Sequence, residues 1–67
     1  MNLFNPPKKV KKVYFRSGEN HFVLISIFIF SAYKQNWNPD DVRIVVNEAR
    51  KYDYKHLVTT LKDHSTR

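Results

Sequence analysis

From Phe22 to Tyr33 the chain reads Phe-Val-Leu-Ile-Ser-Ile-Phe-Ile-Phe-Ser-Ala-Tyr, apolar on every side except at Ser26 and Ser31. Such a run has no polar face to turn to water, so the rest of the chain must be arranged around it. As a helix it would span about 18 Å, short of the roughly 30 Å of a bilayer's hydrocarbon, and it reads as core rather than as a membrane span. An unbroken apolar run fits a buried strand as well as a buried helix. Its β-branched and aromatic residues favour a strand, paired as a hairpin with residues 10–16 across Ser17-Gly18-Glu19-Asn20. The length from Glu19 to Gln35, with Ser17 or Asn20 as a cap, favours a helix. The expected fold is therefore mainly α, with a small α+β arrangement as the alternative.

The chain has 67 residues and no cysteine, so packing, self-association or a partner must stabilise it. A chain this short removes only roughly 60% of its unfolded surface from water, and one helix apolar all round exceeds what such a monomer can bury. A homodimer or a protein partner covering residues 22–33 is thus expected, with Phe22, Phe28, Phe30, Tyr33 and the loop residue Trp37 as the interface. Trp37 has a structural reading as well, folding back onto Ile44 or a neighbour beside the helix cap at Asn38.

Pro6-Pro7 forbids a helix there, and residues 1–9 read as a flexible basic arm, 10–64 as one small domain and 65–67 as a tail. Val10 to Arg16 alternates as a half-buried strand, with Val13 and Phe15 on one face and Lys12, Tyr14 and Arg16 on the other. Asn38-Pro39-Asp40-Asp41 places a cap, a first-turn proline and acids where a helix begins. The spacing of Val42, Val45, Val46 and Ala49 predicts an amphipathic helix over 39–51. Asp53, followed by Tyr54, Leu57, Val58 and Leu61, predicts a second over 53–64.

The formal charge is +6, and it is unevenly placed. Residues 1–17 hold Lys8, Lys9, Lys11, Lys12 and Arg16 without an acid, whereas the remainder is close to neutral. Spaced cations with Tyr14 among them suit phosphates and a stacked base, so Lys8, Lys9, Lys11, Lys12, Tyr14 and Arg16 are the candidate nucleic-acid contacts. The bland reading of the same cluster is a solvated, solubilising segment.

A short basic strand at Lys11 to Arg16, a helix at Asn20 to Gln35, a loop and a capped helix at Pro39 to Lys51 together resemble the ribbon-helix-helix repressors in element order. The resemblance covers about forty residues and carries no diagnostic motif. It implies a dimer whose paired strands send Lys12, Tyr14 and Arg16 into the major groove. This chain departs from that pattern in its all-round apolar first helix and in its third helix.

Catalysis and metal binding have little to stand on. His21, His56 and His64 lack the spacing of metal ligands, no serine has a base at readable distance, and the single glycine excludes phosphate-loop motifs. No enzyme activity, metal or cofactor is expected. Met1-Asn2-Leu3-Phe4 does not resemble a secretory signal, and a cytoplasmic location is expected. The leading expectation is an accessory or regulatory protein that binds nucleic acid through its basic segment as a homodimer. The alternative is a protein-interaction module, such as an inhibitor or assembly subunit, on an acidic, apolar patch of a larger protein.

Overall fold

A computed structural model describes residues 1–67 and contains three helices and no strand. These are α1 (His21–Lys34), α2 (Pro39–Ala49) and α3 (Tyr54–Asp63). The apolar run is thus helical, and the hairpin alternative is overturned. Asn20 rather than Ser17 caps it, its side-chain oxygen accepting from the Phe22 N–H at 2.8 Å. The same chemistry starts the other two helices: Asn38 accepts from the Asp40 N–H at 2.8 Å and Asp53 from the His56 N–H at 2.9 Å. Helix α2 stops at Ala49, short of the expected Lys51, and Arg50 closes it by donating its N–H to the Val46 carbonyl at 3.1 Å. No helix is long and apolar enough to cross a membrane.

The core lies where the three helices meet. Leu24, Ile25, Phe28 and Ala32 of α1 face Val42, Val45 and Ala49 of α2 and Leu57 and Leu61 of α3. Val10, Val13, Phe15 and Trp37 close it from the irregular segments. Trp37 arrives there because α1 ends in a left-handed turn at Asn36, φ 63°. There the Trp37 N–H reaches back to the Ala32 carbonyl at 3.0 Å and the Asn36 N–H to the Tyr33 carbonyl at 3.1 Å. The indole then meets Phe28 edge-on at 5.7 Å and Phe4 at 5.8 Å. Its partners are those rings and not Ile44, which is exposed.

The strand expected over Val10–Arg16 does not form. Val10, Val13 and Phe15 do turn inward while Lys12, Tyr14 and Arg16 face water. Lys12, however, has a left-handed backbone, φ 59°, which breaks the extended path. The backbone is paired instead with the C-terminal residues, in a single parallel bridge between Val10 and Ser65. The Val10 N–H donates to the His64 carbonyl at 2.8 Å, Thr66 to Val10 at 2.8 Å, and Val13 to Thr66 at 2.7 Å. The left-handed turn at Lys12 breaks the Lys11 to Arg16 strand that a ribbon-helix-helix dimer would pair, and the Val13 N–H within it is already bonded to Thr66, so that resemblance ends here.

Residues 1–9, read from the sequence as an arm, lie against this bridge. The Asn2 side chain donates to the Lys8 and Asp63 carbonyls, and the terminal amine meets the Asp63 carboxylate. His64, wholly enclosed, accepts from the Leu3 N–H at 2.9 Å through Nε2, while its Nδ1 lies 2.7 Å from the Thr60 carbonyl. That pattern assigns the proton of the neutral ring to Nδ1. Burial holds the His64 pKa below its usual 6.5, against the opposing pull of the Thr60 carbonyl and Asp63.

Between that lowered value and 6.5 the unfolded chain binds a proton that the folded chain refuses. Stability is therefore fully present above pH 6.5 and falls as the pH drops through this window, by at most about 1.4 kcal/mol per pH unit. Urea unfolding followed between pH 7.5 and 5 should show the decline, and His64→Gln should flatten it. An unchanged slope in that variant would assign the pH dependence to other groups.

Candidate nucleic-acid interface

Four lysines close together in sequence repel one another, so their placement depends on what fixes the backbone between them. The Gln35 side chain does this at α1's end. It accepts from the Lys11 N–H and donates to the Lys11 carbonyl, both at 2.8 Å, and so clamps the loop beside Lys34. The left-handed turn at Lys12 and the Val10–Ser65 bridge then carry the chain past the C-terminal residues.

Three shallow depressions result, and each shares residues with the next. The first is walled by Lys9, Lys11, Lys12 and Lys34 with Ser31, Gln35 and Trp37. The second keeps Lys9, Lys11, Lys12 and Trp37 and adds Lys8 and Arg67. The third runs from Thr66 and Arg67 to Lys62 and Tyr14. Together they form one trough along a molecule about 27 Å long. Its walls contain no aspartate or glutamate.

The trough's cations are also free of carboxylates at close range. Lys9, Lys11, Lys12, Lys34, Lys62 and Arg67 form no salt bridge, whereas Arg43 on α2 and Lys51 just beyond it pair with Asp40 and Glu48. Lys8 is the exception, with Nζ 2.6 Å from Asp41 and 4.6 Å from the centre of the Trp37 ring. It is held rather than offered. At the far end the Arg67 guanidinium sits 4.9 Å from the centre of the exposed Tyr14 ring, a flat surface on which a base could stack.

Among the sequence-predicted nucleic-acid residues, Lys9, Lys11 and Lys12 thus share one trough, Tyr14 lies at its end, Lys8 is ion-paired within it, and Arg16 lies outside. Lys34, Lys62 and Arg67 were missed, because they come from α1, α3 and the C-terminus and only the fold brings them alongside. Gln35 carried no signal in the sequence at all. Among the predicted protein-interface residues, Phe22, Phe30 and Tyr33 are exposed on α1. Phe28 is wholly enclosed and Trp37 nearly so, and neither ring is presented outward.

One cluster elsewhere has catalytic residue types. His56 Nε2 lies 3.0 Å from the Glu48 carboxylate and 3.4 Å from the Thr60 hydroxyl. A base relay needs the carboxylate and the nucleophile on opposite ring nitrogens, and here one nitrogen faces both. The arrangement ties α3 to α2, and hydrogen bonds from Lys51 and His56 lower the Glu48 pKa. No group of three or more His, Asp or Glu side chains is placed to hold a metal ion. No family model, curated protein or solved structure matches the chain.

Proposed function

We propose that this chain is a small non-enzymatic accessory or regulatory protein of the cytoplasm that binds nucleic acid through its phosphate backbone, along the trough from Lys34 to Lys62. The observation that carries this reading is the composition of the trough: six cations outside any salt bridge, supplied by four separate parts of the chain, with no aspartate or glutamate in its walls. Six like charges on one face of a 67-residue domain repel each other, and only Lys34 and Lys62, in the last turns of α1 and α3, offset part of this through the helix dipoles. A polyanion removes that repulsion and releases its own condensed counterions. Binding is then tolerant of sequence, because phosphate contacts position a protein without reading bases. Tyr14 adds a stacking surface that any base can use.

The test is affinity for a generic duplex and a generic single strand at two salt concentrations. With all six cations engaged, the duplex constant should fall roughly 10³-fold between 50 and 200 mM salt, and the single-strand constant somewhat less. Absence of binding at the lower salt would remove nucleic acid as the partner.

A further inference from the structure

Helix α1 spends one side on the core and leaves the other bare. Phe22, Val23, Ser26, Ile27 and Phe30 line a shallow apolar depression on that outer side, with Phe22 61% and Phe30 67% exposed. Glu19 precedes the helix and Lys34 ends it, and neither is in a salt bridge. The stripe has an internal symmetry that its chemistry makes meaningful. Inverting the helix about the midpoint between Ser26 and Ile27 exchanges Glu19 with Lys34, Val23 with Phe30, and Ser26 with Ile27.

We infer that the occupant of this face is a second copy of the chain, laid antiparallel along α1 about a two-fold axis at Ser26 and Ile27. In that arrangement each Phe30 meets the other copy's Val23, the small Ser26 admits Ile27 at the centre, and opposite charges meet at both ends. An isologous contact requires this kind of self-complementarity, in which residue i meets j and j meets i. A lipid surface or an unrelated protein has no need of it.

The area sets the strength. Two-thirds-exposed phenylalanines offer about 260 Å² of ring per copy, and with the neighbouring residues two copies bury an area in the range below about 1,200 Å². That is the size of a weak, concentration-dependent dimer and not of an obligate one. The pairing goes beyond the nucleic-acid reading and does not depend on it, since Phe22, Val23, Ser26, Ile27 and Phe30 lie outside the trough and only the end charge Lys34 belongs to both.

Sedimentation equilibrium of the full chain from about 1 μM to about 1 mM tests it, because an interface this small dissociates within that range. The wild type should pass from monomer to dimer and stop there. Phe30→Asp should stay monomeric throughout, with its helical circular dichroism unchanged because the ring is exposed. The charged ends supply a sharper test. Glu19→Lys raises the net charge and Lys34→Glu lowers it, so repulsion between whole molecules would move the two variants in opposite directions. The antiparallel pair instead weakens both, each about tenfold, and the double variant regains the wild-type constant. A wild type that remains monomeric at the highest concentration overturns the inference. So does a dimer indifferent to Phe30, or one that Lys34→Glu strengthens. Binding of the monomer to vesicles with anionic headgroups, abolished by Phe30→Asp, would give the face to a membrane.

Discussion

Phe28→Ala is expected to leave little of the folded state at 37 °C. A chain of 67 residues holds a total stability of about 3–10 kcal/mol. Emptying a fully enclosed phenylalanine site costs about 3–5 kcal/mol, as lost transfer energy plus the cavity left behind. Phe28 has no exposed surface, lies on the inner side of α1, and is the ring against which Trp37 stands edge-on. Its loss therefore loosens the junction of α1 with the loop as well as the helix contacts. Thermal unfolding read by circular dichroism should drop by roughly 15–30 °C, and Trp37 fluorescence should move toward that of an indole in water. Phe28→Leu, which keeps most of the volume, should recover much of the loss. A melt within a few degrees of wild type would mean that the three helices do not converge on this ring.

Replacing Lys9, Lys11 and Lys12 together with glutamine should reduce nucleic-acid affinity about 10²–10³-fold near 100 mM salt. It should also flatten the plot of log affinity against log salt by almost three units of slope. Each lysine lines two of the three depressions and none has a carboxylate partner, so their removal subtracts counterion release without exposing a stranded acid. The matched control neutralises Arg43, Lys51 and Lys55, which lie outside the trough. It changes the net charge by the same amount and should leave the slope close to wild type. Equal losses in the two variants would assign binding to bulk charge and dismiss the trough.

Both experiments turn on features that were unevenly visible beforehand. Helices α2 and α3 announce themselves because their caps and their i, i+3, i+4 spacing are local events, decided within a few residues of Asn38 and Asp53. The apolar run of α1 carries no periodicity, so only its length and the Asn20 cap distinguish it from a strand, and which side faces the core is set by α2 and α3. The alternation of Val13 and Phe15 with Lys12, Tyr14 and Arg16 shows which side chains face inward, but suggests a strand. Alternation reports which side chains are wanted inside, and it is silent about whether a partner backbone exists to complete a ladder. That partner proved to be residues 64–66, some fifty positions away. The trough divides the same way. Its lysines at 9, 11 and 12 are a cluster in sequence, whereas Lys34, Lys62 and Arg67 join them only through the Gln35 clamp and the bridge between the chain's ends.

That bridge has a mechanical consequence. Val10 and Ser65 run parallel, so a pull on the two ends of the chain acts along the bridge in opposite directions on its two sides. Residues 1–9 peel away first, because their contacts with Asp63 and His64 load one at a time. The three backbone hydrogen bonds joining Val10 and Val13 to residues 64–66 then share the load in shear and must fail together. Behind them lie the three helices and the apolar core they share, with no second bridge to shear. Stretched from its ends, the molecule should behave as a small latch, giving way in one abrupt event set by those bonds and then paying out smoothly.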